Sequence, residues 1–106
     1  MNSDFSSRIP SERELAETLR QWGEINSGST HPQGLARFCQ VLFEAFSGLE
    51  GNLELLTLDS YQDLDGTVIE PGQVLRFKFR PEAPLKVLLN GHMDTVYPAD
   101  SPFQTC

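Results

Sequence analysis

The sequence predicts an α/β protein in which two N-terminal helices pack on a small mixed β-sheet. Two early stretches repeat apolar residues at helical spacing, and three later stretches are short, apolar and rich in strand formers. Turns containing glycine or proline separate the stretches. The helices are predicted within residues 11–23 and 30–49, and the strands within residues 53–58, 74–80 and 85–89.

The first helix is predicted to begin at a capping box, in which Ser11 is the N-cap residue and Glu14 lies three positions later. Apolar side chains then follow at intervals of four and three residues and give the helix one apolar face. They are Leu15, Leu19 and Trp22. Gly23 is expected to end the helix.

The second helix has the most regular apolar spacing in the chain. Its stripe consists of Leu35, Phe38, Cys39, Leu42, Phe43, Phe46 and Leu49. Pro32 suits the first turn, and Ser29 or Thr30 is expected to cap the helix, since hydroxyl side chains favour the N-cap position. Packing of this stripe against a sheet is the expected use of the helix.

Composition limits the classes of function. The 106 residues suffice for one small domain, and their net charge of −7 argues against a nucleic-acid or anionic membrane partner. Residues 1–9 are polar and are expected to be disordered. No secretory signal or apolar run of membrane-spanning length is visible, so a cytoplasmic location is expected. Cys39 is expected to be a small core residue.

The side chains best suited to bind a metal or take part in a reaction follow directly after the predicted strand at residues 85–89. There the sequence changes to Asn90-Gly91-His92-Met93-Asp94. In an extended chain His92 and Asp94 point to the same side. An imidazole can bind a metal through one nitrogen while a carboxylate accepts the proton of the other nitrogen. Spacing alone favours an ordinary surface turn, because a zinc site needs three or four protein ligands and one is visible.

A second observation comes from the sequence of residues 88–98, which is Leu-Leu-Asn-Gly-His-Met-Asp-Thr-Val-Tyr-Pro. It closely resembles the first metal motif of the zinc metallopeptidase family that includes glutamate carboxypeptidase, aminoacylase, acetylornithine deacetylase and succinyl-diaminopimelate desuccinylase. The resemblance implies that His92 is a zinc ligand and that Asp94 is the catalytic-site residue that orients it. It also implies that the fold is part of a three-layer α/β/α sandwich.

The resemblance further implies a function. Members of the family hold two zinc ions, which cobalt or manganese can replace, and use activated water to cleave an amide or peptide bond next to a free carboxylate. The expected substrate is a small peptide or an N-acyl amino acid, and the complete enzyme can be a homodimer. The other ligands, the general base and the dimerisation domain do not occur in residues 1–106.

We therefore expect these residues to be the N-terminal part of a metallopeptidase catalytic domain that is inactive alone. The alternative is a non-catalytic interaction domain that retains the fold.

Overall fold

The computed structural model describes residues 9–105. Two helices come first, α1 (Glu12–Gly23) and α2 (Pro32–Ser47). Four short strands follow, namely β1 (Asn52–Leu56), β2 (Tyr61–Gln62), β3 (Val68–Ile69) and β4 (Val74–Lys78). The prediction of a protein that mixes two helices with a few strands is confirmed. Residues 1–8, for which disorder is predicted, lie outside the described residues.

Helix α1 begins as its sequence predicts. The amide of Glu14 donates to the Ser11 hydroxyl, and the Glu14 carboxylate accepts a 2.8 Å hydrogen bond from the Ser11 amide. The helix ends at Gly23. None of its residues is buried, and Leu15 and Leu19 of its apolar face are exposed. The contact of α1 is instead with α2, where the rings of Trp22 and Phe38 lie 5.9 Å apart between centroids, edge to face. Of the two partners expected for α1, helix α2 or the sheet, the structure shows α2, and the expectation that both helices pack on the sheet is wrong for α1.

Helix α2 provides the helical side of the core. Leu35 and Cys39 are its buried apolar side chains, and burial raises the pKa of the Cys39 thiol. The helix contacts β1 and β4, and the rings of Phe46 and Phe77 lie 5.9 Å apart between centroids. The predicted stripe thus reaches the sheet, although its last residue, Leu49, lies beyond the helix and is 55% exposed. Cys39 is a core residue as expected.

Strands β1 and β4 form an antiparallel pair in which Leu53 lies opposite Phe77 and Leu55 lies opposite Leu75. Both strands were expected, although each ends earlier than its apolar pattern. The second antiparallel pair, β2 with β3, is a hairpin that turns at Asp65 and Gly66, where Gly66 has a φ of +87°. The sheets within residues 9–105 are antiparallel rather than mixed.

The predicted strand at residues 85–89, called here the apolar segment, is not a strand in the structure. Its apolar side chains are 78% to 91% exposed, and they are Leu85, Val87, Leu88 and Leu89. A strand needs a neighbour that pairs with its backbone, and a continuous apolar run needs cover on both faces. Residues 9–105 provide neither, which is why the prediction of a buried strand is wrong.

The described chain is open in shape. Its radius of gyration is 16.9 Å, whereas about 13 Å is typical of a compact domain of this length. Among residues 9–105, no helix combines the length and the apolar character that crossing a membrane requires.

Candidate metal-ligand site

His92 and Asp94 follow the apolar segment, and the structure brings their side chains together. The imidazole Nδ1 of His92 lies 3.1 Å from Oδ1 of Asp94 and 3.0 Å from its carbonyl oxygen. Because an ionised carboxylate and a carbonyl can only accept, Nδ1 carries the proton in the neutral imidazole, and Nε2 then carries the lone pair. The His92 side chain is 83% exposed and the Asp94 side chain 46% exposed, so this lone pair is accessible.

The second oxygen of Asp94 is held by a residue from the other end of the chain. The Ser29 hydroxyl donates to Oδ2 of Asp94 across 2.6 Å. This hydrogen bond lowers the pKa of the Asp94 carboxyl group, and the hydrogen bond from His92 lowers it further. One carboxylate oxygen of Asp94 therefore accepts a hydrogen bond from the Ser29 hydroxyl, and the other accepts one from the His92 imidazole.

Backbone hydrogen bonds bring Ser29 to this position. Gly28 and Thr95 form a parallel bridge, in which the Thr95 amide donates to the Ser27 carbonyl and the Ser29 amide donates to the Thr95 carbonyl. Ser27 is 2% exposed and its hydroxyl donates to the Met93 carbonyl across 2.8 Å. The α1–α2 loop (residues 24–31) thus holds the backbone on both sides of Asp94.

The same loop also holds the chain beyond the bridge. The Asn26 side-chain amide donates to the carbonyls of Tyr97 and Pro98. A Cβ atom on Gly28 would overlap the Tyr97 carbonyl oxygen, so the close approach of the two segments requires glycine at this position. His31 is half-buried, and its Nδ1 lies 3.0 Å from Oδ1 of Asn26.

The prediction that Ser29 or Thr30 caps α2 is wrong. The N-cap residue of α2 is His31, and no side-chain hydrogen bond caps the helix. Pro32 at the first position lacks an amide hydrogen, which reduces the need for a cap. The contact of Ser29 with Asp94 was missed because no local pattern connects residues so distant in sequence. The hydroxyl-rich loop was the only available signal, and local spacing favours capping for such a loop.

The pair borders an open cleft of about 720 Å³ beside α2. Its lining includes apolar side chains of α2, among them Phe38 and Leu42, together with Ser29, His92 and Asp94. An accessible imidazole beside an apolar cleft suits a site where a metal meets a small organic molecule.

The donor set fits one ligand of a metal site together with the residue that orients it. A free Nε2 opposite an Nδ1 bonded to a carboxylate is the usual geometry of zinc-bound histidine. No group of three or more side chains able to bind a metal together occurs within the described range, residues 9–105. A catalytic zinc ion takes about three protein ligands. The described residues would thus supply part of a site.

The arrangement differs from that of a serine hydrolase. In a nucleophilic triad the histidine stands between the serine and the acid and removes the proton of the serine. Here Asp94 stands between Ser29 and His92, and the hydroxyl proton of Ser29 points to a carboxylate. The hydrogen bond of Ser29 therefore supports the Asp94 carboxylate, and it does not activate the hydroxyl as a nucleophile.

No family model matches the chain, and no similar curated protein or solved structure was found.

Proposed function

We propose that this chain supplies a zinc ligand, His92, and its orienting carboxylate, Asp94, to the centre of a zinc-dependent hydrolase. The single observation that supports the proposal is the hydrogen bond between His92 Nδ1 and Asp94 Oδ1, which leaves Nε2 free for a metal. The resemblance of residues 88–98 to the first metal motif of zinc metallopeptidases supports the choice of metal and of reaction. Two ions are proposed for the complete centre.

The proposed reaction is hydrolysis of an amide or peptide bond next to a free carboxylate, in a small peptide or an N-acyl amino acid. Zinc, when bound, would polarise the scissile carbonyl group and make water a better nucleophile. His92 would hold the ion through Nε2, and Asp94 would keep the imidazole in the required tautomer and orientation. Neither residue is assigned the proton transfer of a general base.

Turnover requires further ligands and a general base that residues 9–105 do not bring to His92. We therefore propose that the chain alone binds zinc weakly and does not hydrolyse substrate. In the complete enzyme the apolar segment would become an inner strand of an α/β/α sandwich. Its exposed leucines would then be covered on both faces, as a continuous apolar strand requires.

The second candidate is a non-catalytic interaction domain. The observation that favours it is that only one imidazole lies at the cleft within the described residues, with no third or fourth ligand. This candidate predicts that zinc does not select His92 over other exposed side chains.

A zinc titration followed by amide NMR tests the proposal. We expect weak, saturable shifts centred on residues 91–95 that disappear in His92→Ala. His31→Ala is the matched control, because the chain has two histidines and the other lies in the α1–α2 loop. If His92→Ala shows the same zinc-dependent shifts as the unchanged protein, the metallohydrolase proposal fails and the interaction domain is favoured.

A further inference from the structure

We infer that Ser29 is a positioning residue that sets the orientation of Asp94 and, through it, the tautomer of His92. This inference rests on the proposed function, since it concerns how the proposed zinc ligand is prepared. Neither the motif at residues 88–98 nor any local spacing assigns Ser29 a role in this site. The inference depends on three features of the geometry.

The first feature is that both carboxylate oxygens of Asp94 have separate partners. Ser29 Oγ lies 2.6 Å from Oδ2, and His92 Nδ1 lies 3.1 Å from Oδ1. A carboxylate on an exposed side chain can rotate about its last bond. A hydroxyl fixed on one oxygen opposes this rotation and keeps the other oxygen directed at the imidazole.

The second feature is that Ser29 is anchored independently of Asp94. Its amide donates to the Thr95 carbonyl across 3.0 Å, and the neighbouring Ser27 is buried and bonded to the Met93 carbonyl. By contrast, the His92 side chain is 83% exposed and lies outside any strand. The α1–α2 loop is therefore the fixed side of this contact, and His92 is the side that is oriented.

The third feature is that the hydroxyl of Ser29 has no role in starting α2. No side chain caps that helix, and its N-cap residue is His31. The shortest hydrogen bond of Ser29 goes to the Asp94 carboxylate, and its longer contact is 3.2 Å to the Thr95 carbonyl. Removing the hydroxyl thus deletes a contact to the site and leaves the backbone bridge in place.

The consequence for chemistry concerns the imidazole tautomer. Which ring nitrogen carries the proton is set by the hydrogen bond that this nitrogen makes. With Asp94 held by Ser29, Nδ1–H is favoured and Nε2 stays available as a metal donor. Nδ1 also lies 3.0 Å from the Asp94 carbonyl oxygen, a neutral acceptor that remains when the side chain turns. Without Ser29 the Asp94 carboxylate can turn away, Nδ1–H keeps only this weaker acceptor and its fraction falls, which weakens metal binding at Nε2.

The test is nitrogen-15 NMR of the imidazole rings in the 106-residue chain without metal, at a pH where both histidines are neutral. We expect His92 in the unchanged protein to be mainly Nδ1–H, and this fraction to fall in Ser29→Ala and to recover in Ser29→Thr. Thr30→Ala is the control, an adjacent exposed hydroxyl that makes no side-chain hydrogen bond among the contacts of the described residues. In the same samples, zinc affinity at His92 should fall about tenfold in Ser29→Ala, the low end for partners of metal ligands.

An unchanged tautomer in Ser29→Ala would overturn the inference. It would also be overturned if Ser29→Ala shifts the amide signals of Met93 and Thr95 and Ser29→Thr does not restore them, because Ser29 would then be a structural anchor. Failure of the proposed function looks different. In that case zinc leaves Nε2 of His92 unchanged in the unaltered protein, while the tautomer still depends on Ser29.

Discussion

Ser29 and Asp94 are 65 positions apart in the sequence, and a hydrogen bond of 2.6 Å joins their side chains. The contact connects the α1–α2 loop with the segment that carries His92. It makes the candidate site a product of two loops rather than of one motif. The backbone bridge between Gly28 and Thr95 places the two side chains within reach of each other.

Replacing Asp94 by asparagine should weaken zinc binding at His92 by about 10–100-fold, the range found for residues that orient metal ligands. The amide retains an oxygen but loses the negative charge that strengthens the hydrogen bond to Nδ1. A direct zinc titration followed by amide NMR measures the change. Asp100→Asn is the matched control, because Asp100 is exposed. Equal zinc affinity in Asp94→Asn and the unchanged protein would contradict the assigned role.

The pKa of Asp94 should rise in Ser29→Ala, because the hydrogen bond from Ser29 is the largest cause of its lowered value. A lowered pKa in the folded state stabilises the fold above the pKa of the unfolded chain, and this contribution is lost as the pH falls through the folded value. The stability difference between the two proteins should thus be largest near neutral pH and shrink in acid.

Carboxyl carbon NMR across an acid titration measures the pKa, and urea unfolding at several pH values measures the stability. Asp65 is the internal control, since its lowered pKa comes from Thr67 and should not change. The effect on stability is small, because the Asp94 side chain is 46% exposed to screening solvent. An Asp94 pKa identical in both proteins would refute the assigned cause.

Gly28→Ala should separate the α1–α2 loop from the chain that follows Asp94. The new methyl group would overlap the Tyr97 carbonyl oxygen, which is backbone and cannot move alone. We expect a loss of about 1–3 kcal/mol, typical of overpacking, and loss of the tautomer bias at His92. Gly48→Ala, which would meet nothing within 4 Å, should change the free energy of unfolding by less than about 0.5 kcal/mol. Equal effects of the two substitutions would contradict the described packing.

Amide hydrogens of the apolar segment should exchange with solvent as fast as those of an unfolded chain. The segment has no strand partner within residues 9–105, whereas β4 pairs with β1 along its whole length. Hydrogen–deuterium exchange measured residue by residue compares the two. Slow exchange at residues 85–89 in the 106-residue chain would show that a strand partner exists in solution.

Sequence patterns predicted the elements whose causes are local. The capping box of Ser11 and Glu14 and the stripe containing Leu35 and Cys39 depend on neighbours within one or two helical turns. Their predictions are confirmed in the structure. The alternating pattern of β4 also formed a strand, because β1 supplies its partner.

Long-range partners account for the predictions that failed. The apolar segment has the composition of a buried strand, yet composition does not provide the adjacent strand that its backbone needs. Serine is a residue type that favours helix caps, yet the hydroxyl of Ser29 donates to Asp94, which the fold brings near. The proximity of His92 and Asp94 follows from their two-residue spacing. The position of Ser29 beside Asp94 could not be predicted in this way, because the two residues are distant in sequence.

The central claim is that Nε2 of His92 binds zinc while Asp94 orients the ring. Crystals soaked in zinc and measured at the zinc absorption edge test it most directly. The account predicts an anomalous peak about 2.0–2.1 Å from Nε2, with Nδ1 still bonded to Asp94. A peak at Nδ1, or zinc bound only at other residues while Nε2 of His92 stays free, would contradict it.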